Sequence, residues 1–323
     1  MKAIVYTRYG PPAVLQFKEV PTPALADGEV LMKVRASSAN PLDWHFMRGE
    51  PWLLRLMMGL RKPKDTRLGV DVAGQVESVG GNVTLFKPGD EVFGVGRGAF
   101  AEYVCAREDQ LALKPAGLSF EDAASVPVAA ITALQGLRDQ GHIQPCYKVL
   151  IDGASGGLGT FAVQITKSFE AEVTAVCSPS KVDTARAIGA DHVVDYTRKD
   201  FTQAAQRYDL ILGVNAYHSI FAYRRALSED GVYVKAGGRA TLSAMLLDPL
   251  LSMILSRLGR KKMRGFIAKV NKPDLMLLKG LLEERKLVPV IDRSYPLSHA
   301  TEAVRYLEEG HARGKVVLTV GQN

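Results

Sequence analysis

Cysteine is scarce and unpatterned. Cys105, Cys146 and Cys177 are the three in 323 residues, with no CxxC and no Cys/His cluster. That argues against a structural zinc site and a disulfide framework, and it fits a reducing compartment, so a cytoplasmic location is expected. There are only two Trp, and no run of basic residues alternates with aromatics. A base-stacking surface is therefore absent from the pattern, and no nucleic-acid partner is expected. The net charge of +7 is modest for this length and compatible with an anionic ligand. The Leu- and Met-rich run 242–258 is interrupted by Asp248 and Pro249. It falls short of the ~20 apolar residues a membrane span needs. The first residues, Met1–Tyr6, alternate like a strand and do not read as a signal sequence.

What is present is the composition of a soluble globular protein, 47% apolar and 23% charged, long enough for two cores. Residues 1 to about 120 carry short strand patterns, Ala3–Tyr6, Glu29–Ala36, Val70–Val79 and Glu91–Phe93, between Pro- and Gly-bearing turns. This predicts a barrel-like β domain. From Ser119 the pattern changes to strands at 149–151, 173–176, 193–195, 210–212 and 232–235. Helical stretches lie between them at 160–168, 181–188, 201–207 and 219–227. Such crossovers predict a doubly wound parallel sheet. A strand at 265–269 and a helix over 273–285 follow, and Lys315–Val320 returns to β chemistry. The division predicted is 1–122 with 275–323 for the β domain and 123–274 for the α/β domain, with an insert at about 240–262.

Between the first α/β strand and its helix lies Asp152-Gly-Ala-Ser-Gly-Gly-Leu-Gly159, with Ala154, Gly156 and Gly159 in dinucleotide-fingerprint spacing. The middle glycine admits a pyrophosphate to the backbone, and the last lets helix and strand pack closely. Ser155 is either a phosphate donor or a helix cap. The next strand ends in Cys177-Ser178-Pro179-Ser180-Lys181, with no acid to hold ribose hydroxyls. Ser178 and Lys181 would instead bind a 2′-phosphate, which favours NADPH. The alternative for Lys181 is a solvated residue opening the next helix. Tyr196 is either a partner of the adenosine end or an ordinary edge aromatic.

The chain resembles the zinc-independent medium-chain dehydrogenases/reductases of the quinone oxidoreductase group. The resemblance rests on Ser38-Ala-Asn-Pro-Leu-Asp-Trp44, Gly69-Val-Asp-Val-Ala-Gly74, Lys87-Pro-Gly-Asp-Glu-Val-Phe-Gly94, the glycine loop, Ile188–Tyr196 and Arg313-Gly-Lys-Val-Val317. It implies a GroES-like β-barrel catalytic domain, a Rossmann domain and a cleft between them. It also implies hydride transfer from NADPH to a quinone or an α,β-unsaturated carbonyl. By position, Asn40 and Thr132 would lie beside the nicotinamide, and Ser155, Gly156, Gly157 and Leu158 at the pyrophosphate. Ser178, Lys181 and Tyr196 would meet the 2′-phosphoribose, Ala236, Gly237 and Gly238 would approach the nicotinamide, and Lys315 would reach the cleft. Zinc members carry a Cys ligand where Asn40 stands and a four-cysteine lobe that is missing after Val92–Phe100. No metal is expected, and His45 is read as packing or hydrogen bonding near Asp43.

Without a Lewis acid, the easier acceptors are conjugated ones, in which hydride addition places charge on oxygen. Asn40, the backbone near Gly237 and Lys315 are candidate donors to that oxygen. Asp43 is either catalytic or an anchor for its loop, and no residue stands out as the proton donor. Trp44 and Trp52 either line the cleft or serve core and rim. The insert, followed by Arg257, Arg260, Lys261, Lys262 and Arg264, is a flap over an apolar substrate, an interfacial helix making peripheral contact with anionic lipid, or a core or dimer contact. A zinc-free alcohol dehydrogenase and a non-catalytic NADPH-binding protein are the rival functions. A homodimer is the assembly expected on general grounds.

Overall fold

Residue alternation makes the first strands, and capping chemistry makes the helices between them. A computed structural model describes residues 1–238 and 242–321, with backbone alone for 242–246. In chain order the elements are β1 (Lys2–Val5), β2 (Gln16–Glu19), β3 (Glu29–Ala39), α1 (Pro41–Arg48), α2 (Arg55–Met58), β4 (Asp71–Val79), β5 (Glu91–Val95), β6 (Tyr103–Arg107), β7 (Leu111–Leu113), α3 (Phe120–Ser125) and α4 (Pro127–Gln135). The parallel-sheet region follows as β8 (Lys148–Asp152), α5 (Gly157–Ser168), β9 (Glu172–Cys177), α6 (Val182–Ala187), β10 (His192–Asp195), β11 (Tyr208–Gly213), α7 (Ile220–Ala226), β12 (Leu227–Lys235), α8 (Leu242–Arg257) and β13 (Lys262–Gly265). The chain closes with α9 (Lys272–Glu283), β14 (Ile291–Pro296), α10 (Ala300–Glu308) and β15 (Lys315–Thr319).

Two compact units result. In the first, β14, β15, β3, β4, β5 and β7 form one sheet in that order, with β6 paired on β3. Its core gathers Met32, Val72, Phe100 and Leu111, none of them more than marginally exposed. Long β3 is tied to β15 by Val316 opposite Ala39, and to β4 by Ser38 opposite Asp71. That register brings the C-terminal strand beside the loop that begins at Asn40. In α1, Pro41 occupies the first turn and Gly49 closes the helix in the left-handed region, φ 61°.

In the second unit all six strands are parallel, in the order β10-β9-β8-β11-β12-β13. Renumbered within the unit this is 3-2-1-4-5-6, the doubly wound order, and the topological switch lies between β8 and β11. Crossover helices are capped locally: Ser219 Oγ accepts the Ala222 N–H ahead of α7. The α/β organisation and the GroES-like and Rossmann units are those expected from sequence.

Several details differ. The units divide at 131/132 and 269/270, not at 122/123 and 274/275, and residues 286–288 return to the second unit. The reason is packing: α3 lies on β3, β4 and β15, and α9 lies on β7. The edge strand is β13 at 262–265, because those residues pair with Val232–Lys235. Residues 266–269 are not strand; the Lys269 N–H goes to Gln135 Oε1 at 3.1 Å. Over 201–207 only a single 3₁₀ turn forms, since Asp200 Oδ1 takes the Thr202 N–H at 2.8 Å. Helices α1 and α10 did not figure in the sequence reading. Of the insert, residues 240 and 241 lie outside the described residues.

Candidate active site

In the second unit the glycine loop follows β8 at the C-terminal edge of the sheet. Gly153 and Ala154 donate their N–H groups to Val176 O on β9, at 3.2 and 3.1 Å. Gly153 has φ 94°, and a Cβ there would meet the Asn215 side chain at 2.7 Å. A Cβ on Gly159 would lie 2.1 Å from Gly153 O and 2.7 Å from Ala154, so α5 can approach the strand only with glycine. Gly156 is different: its Cβ would find nothing nearer than 3.9 Å. That glycine is not required by the protein's own packing, and the room beside it is what a diphosphate needs. Thr160 N–H, bonded to Gly156 O at 3.0 Å, is the first to join the helix. The N–H groups of Gly157, Leu158 and Gly159 precede the ladder and point out of the first turn, the arrangement that favours an anion at a helix N-terminus. Ser155 is buried, and α5 is capped by Gly156 without a side-chain bond, so Ser155 is not the helix cap.

Beneath the loop, Asp152 is buried and accepts a hydrogen bond from Tyr223 Oη. Burial raises its carboxyl above the usual range, with Tyr223 acting against the shift. Its carbonyl accepts the Val214 and Asn215 N–H groups at 2.9 and 3.1 Å. Ala236 and Gly237 donate to Gly213 O at 3.0 and 3.2 Å, and Gly238 has φ 109°. The glycine loop and 236–238 thus share one sheet edge. Ser178 caps the 3₁₀ turn Pro179–Lys181, and Tyr196 N–H donates to Cys177 O at 3.3 Å. The second-strand end and an exposed Tyr196 are thereby brought together. Thr132 is half-buried on α4, just past the division between units.

In the first unit, Asn40, Asp71 and Lys315 form one buried cluster with Ser38. Lys315 Nζ donates to Asn40 Oδ1 at 2.8 Å and to Asp71 Oδ2 at 3.2 Å. The same Oδ2 accepts Asn40 Nδ2 at 2.8 Å and Ser38 Oγ at 2.7 Å. Asp71 Oδ1 accepts the Val128 N–H at 2.9 Å. Sequence reading quoted Asp71 only within a motif and assigned it no role. The one available signal was a carboxylate within the short apolar run Gly69–Gly74. The cluster fixes an ammonium and an amide in place, with two of the three Lys315 donors engaged.

Asp43 sits apart from this hub as an anchor: its Oδ2 accepts the Asn40 N–H at 2.7 Å. Burial pushes its carboxyl up to about 7, and the Asp71 charge adds to the shift, while the Asn40 N–H and Lys315 oppose it. Its unfolded value is ~3.9. The native state therefore holds the proton more tightly, so this contribution to stability is complete below pH ~4 and lost as pH rises through about 7. Asp43→Asn retains an acceptor for Asn40. It is expected to flatten the fall of the urea midpoint between pH ~4 and ~7; an unchanged slope would contradict the assignment. His45 bonds Glu50 O through Nδ1 at 2.9 Å rather than Asp43, and burial lowers its pKa. Trp44 packs on the β core, whereas Trp52 is exposed.

Among the described residues, no three His, Cys, Asp or Glu side chains gather to hold a metal ion. Where Asn40 stands the donors are an amide, a carboxylate already bonded four ways, and an ammonium, a set that does not fit zinc.

Comparison with known proteins agrees with this architecture. Residues 26–116 match the alcohol dehydrogenase GroES-like domain, and 188–318 match the family described as zinc-binding dehydrogenase. A chloroplastic quinone-oxidoreductase homolog of Spinacia oleracea is 32% identical, with 98% of each chain covered. The chain belongs to the quinone oxidoreductase group of the medium-chain dehydrogenase/reductase family. A structure of the quinone oxidoreductase from Coxiella burnetii superposes with a TM-score of 0.87 at 30% identity, covering 99% of both chains. A chloroplastic NADPH-dependent alkenal/one oxidoreductase of Arabidopsis thaliana is 31% identical over 98% of this chain and 79% of its own. This family member is accordingly an NAD(P)H-dependent oxidoreductase.

Proposed function

We propose that the protein reduces quinones or α,β-unsaturated carbonyls with NADPH and without a metal ion. The observation that carries this reading is the Lys315 ammonium, buried and fixed between Asn40 and Asp71. The relatives named above, a quinone-oxidoreductase homolog and an alkenal/one oxidoreductase, support the acceptor class.

The nucleotide, when bound, supplies the hydride. The N–H groups of Gly157, Leu158 and Gly159 hold its diphosphate, with Ser155 at hand. Ser178 and Lys181 hold the 2′-phosphate through charge-assisted bonds, and Tyr196 covers the adenosine end. Thr132 and the backbone at Ala236–Gly238 orient the nicotinamide. The remaining donor of Lys315 goes to the acceptor oxygen on which charge grows, while Asn40, whose two amide N–H groups are taken by Asp71 Oδ2 and Ser38 O, is not a donor as expected from sequence but holds the ammonium by accepting from it. Their positions are preset by Asp71, so little reorganisation is needed as charge develops. Water supplies the proton. Asp43 acts through Asn40, as a positioning residue. Three free cysteines, Cys105, Cys146 and Cys177, support a cytoplasmic location.

The test is turnover of 1,4-naphthoquinone, an alkenal and a saturated ketone, each with NADPH and NADH, by the wild type and Lys181→Ala. Conjugated acceptors should be reduced well and the ketone poorly. The substitution should raise KM for NADPH roughly tenfold, from the loss of a charged hydrogen bond, and leave NADH unaffected. Turnover confined to the ketone would overturn the acceptor class; equal changes for both nucleotides would overturn the 2′-phosphate contact.

A further inference from the structure

Residues 221–264 hold nine Lys and Arg against three Asp and Glu, a net +6 where the whole chain has +7. Of the three acids, Glu229 and Asp230 are both paired with Arg260, and Asp248 with Lys235. Arg224, Arg225, Arg257 and Lys261 have no carboxylate partner among the described residues. Three of these cations, with Phe221, Leu255 and Leu258, line a cavity of about 400 Å³. Arg224 Nε there has no hydrogen-bond partner. The Lys261 ammonium is pushed below its usual value by burial and by the charges of Arg224 and Arg207.

The same segment exposes apolar side chains. Leu247, Leu250, Met253, Ile254 and Leu258 are each 43–62% exposed. At 100° per residue they fall on one arc of α8 and its C-terminal extension, with Arg257 inside the arc. Leu255 points the other way and is buried. An apolar stripe flanked by uncompensated cations is unusual for a soluble surface. No helix among the described residues is long and apolar enough to cross a membrane.

We propose that the exposed face of α8, with the basic cavity at its C-terminal end, docks the protein on the surface of an anionic phospholipid bilayer. The stripe enters the acyl boundary while Arg225 and Arg257 meet lipid phosphates; Lys261 Nζ, which donates to Arg224 O and Leu227 O at 3.0 and 2.8 Å, adds its charge to the cavity. Charge complementarity selects this occupant. A second copy seated on the same face would set one +6 segment against another, whereas an anionic bilayer neutralises it. Docking is independent of the reductase reading, because neither nucleotide nor acceptor takes part.

The experiment is flotation of the full chain, without nucleotide, on phosphatidylcholine vesicles with and without phosphatidylglycerol, at low and high salt. Recovery is expected only with phosphatidylglycerol, and high salt should release it. Arg257→Gln, at an exposed side chain, should weaken partitioning roughly fivefold. Ile254→Asp should weaken it at least ~10-fold with an unchanged circular dichroism spectrum. Met57→Asp, on the exposed apolar segment of the first unit, should have no effect. No flotation, or equal flotation on neutral vesicles, overturns the proposal. So does loss through Met57→Asp in place of Ile254→Asp, or a gel-filtration shift from dimer to monomer with Ile254→Asp. Failure here leaves naphthoquinone reduction in solution as the separate test of the proposed reaction.

Discussion

Asp71→Ala is expected to cost about 3–5 kcal/mol of stability, because it strands the Lys315 ammonium in a buried site without its counter-charge. Lys315 is 3% exposed and Asp71 is fully buried, so water cannot replace the lost partner. The change also removes the carboxylate acceptor of Ser38 Oγ and of one Asn40 amide N–H. Urea unfolding of the purified variant reads this as a fall in midpoint. Adding Lys315→Met to Asp71→Ala should recover a large part of the loss, since an apolar side chain of similar length replaces the unpaired charge. If the double variant were no more stable than the single, the lysine would not be the source of the cost. Turnover should stay lost in the double variant, which separates the structural role of the cluster from its part in the reaction.

The second large effect separates two glycines of one loop. Gly156→Ala should leave the fold intact, since its new methyl meets only Gly153 O, at 3.9 Å. It should raise KM for NADPH at least ~10-fold, because the methyl takes the room of the diphosphate and disturbs charged hydrogen bonds worth about 1.5–3 kcal/mol each. Gly159→Ala should do the reverse in order of cause. Its methyl would sit 2.1 Å from Gly153 O, so α5 must shift away from the strand. A stability loss of about 1–3 kcal/mol is expected, with nucleotide affinity falling as a consequence. Thermal unfolding with and without NADPH distinguishes the two. A destabilised Gly156→Ala with normal KM would mean that the loop's shape serves packing alone.

The glycine loop was legible because its chemistry is local: a strand, an alanine and two glycines at fixed offsets, and a helix lie within about twenty residues. That the strands run parallel followed from crossover length for the same reason. The Asp71 hub was not legible. Its donors come from Ser38, Asn40, Val128 and Lys315, up to 244 residues away, and only strand register brings them together. Asn40 and Lys315 were named through family resemblance, which reports positions without the carboxylate that joins them. Asp43 was ambiguous in sequence between acid and anchor; its contact with the Asn40 N–H supplies the anchoring role. Errors in the secondary structure arose where side chains outcompeted propensity. Asp200 turned 201–207 away from a helix, and pairing with β12 drew the edge strand back to 262–265. The C-terminal return to the β unit was read correctly from Lys315–Val320, but α10 was hidden among charged residues between two strands.

Acceptor-dependent oxidation of NADPH by protein dialysed against a strong zinc chelator tests the central claim most directly. Steady turnover of 1,4-naphthoquinone, unchanged by the chelator and unimproved by added zinc, is the result predicted. Absence of NADPH oxidation with any conjugated acceptor, or activity that returns only with stoichiometric zinc, would contradict it.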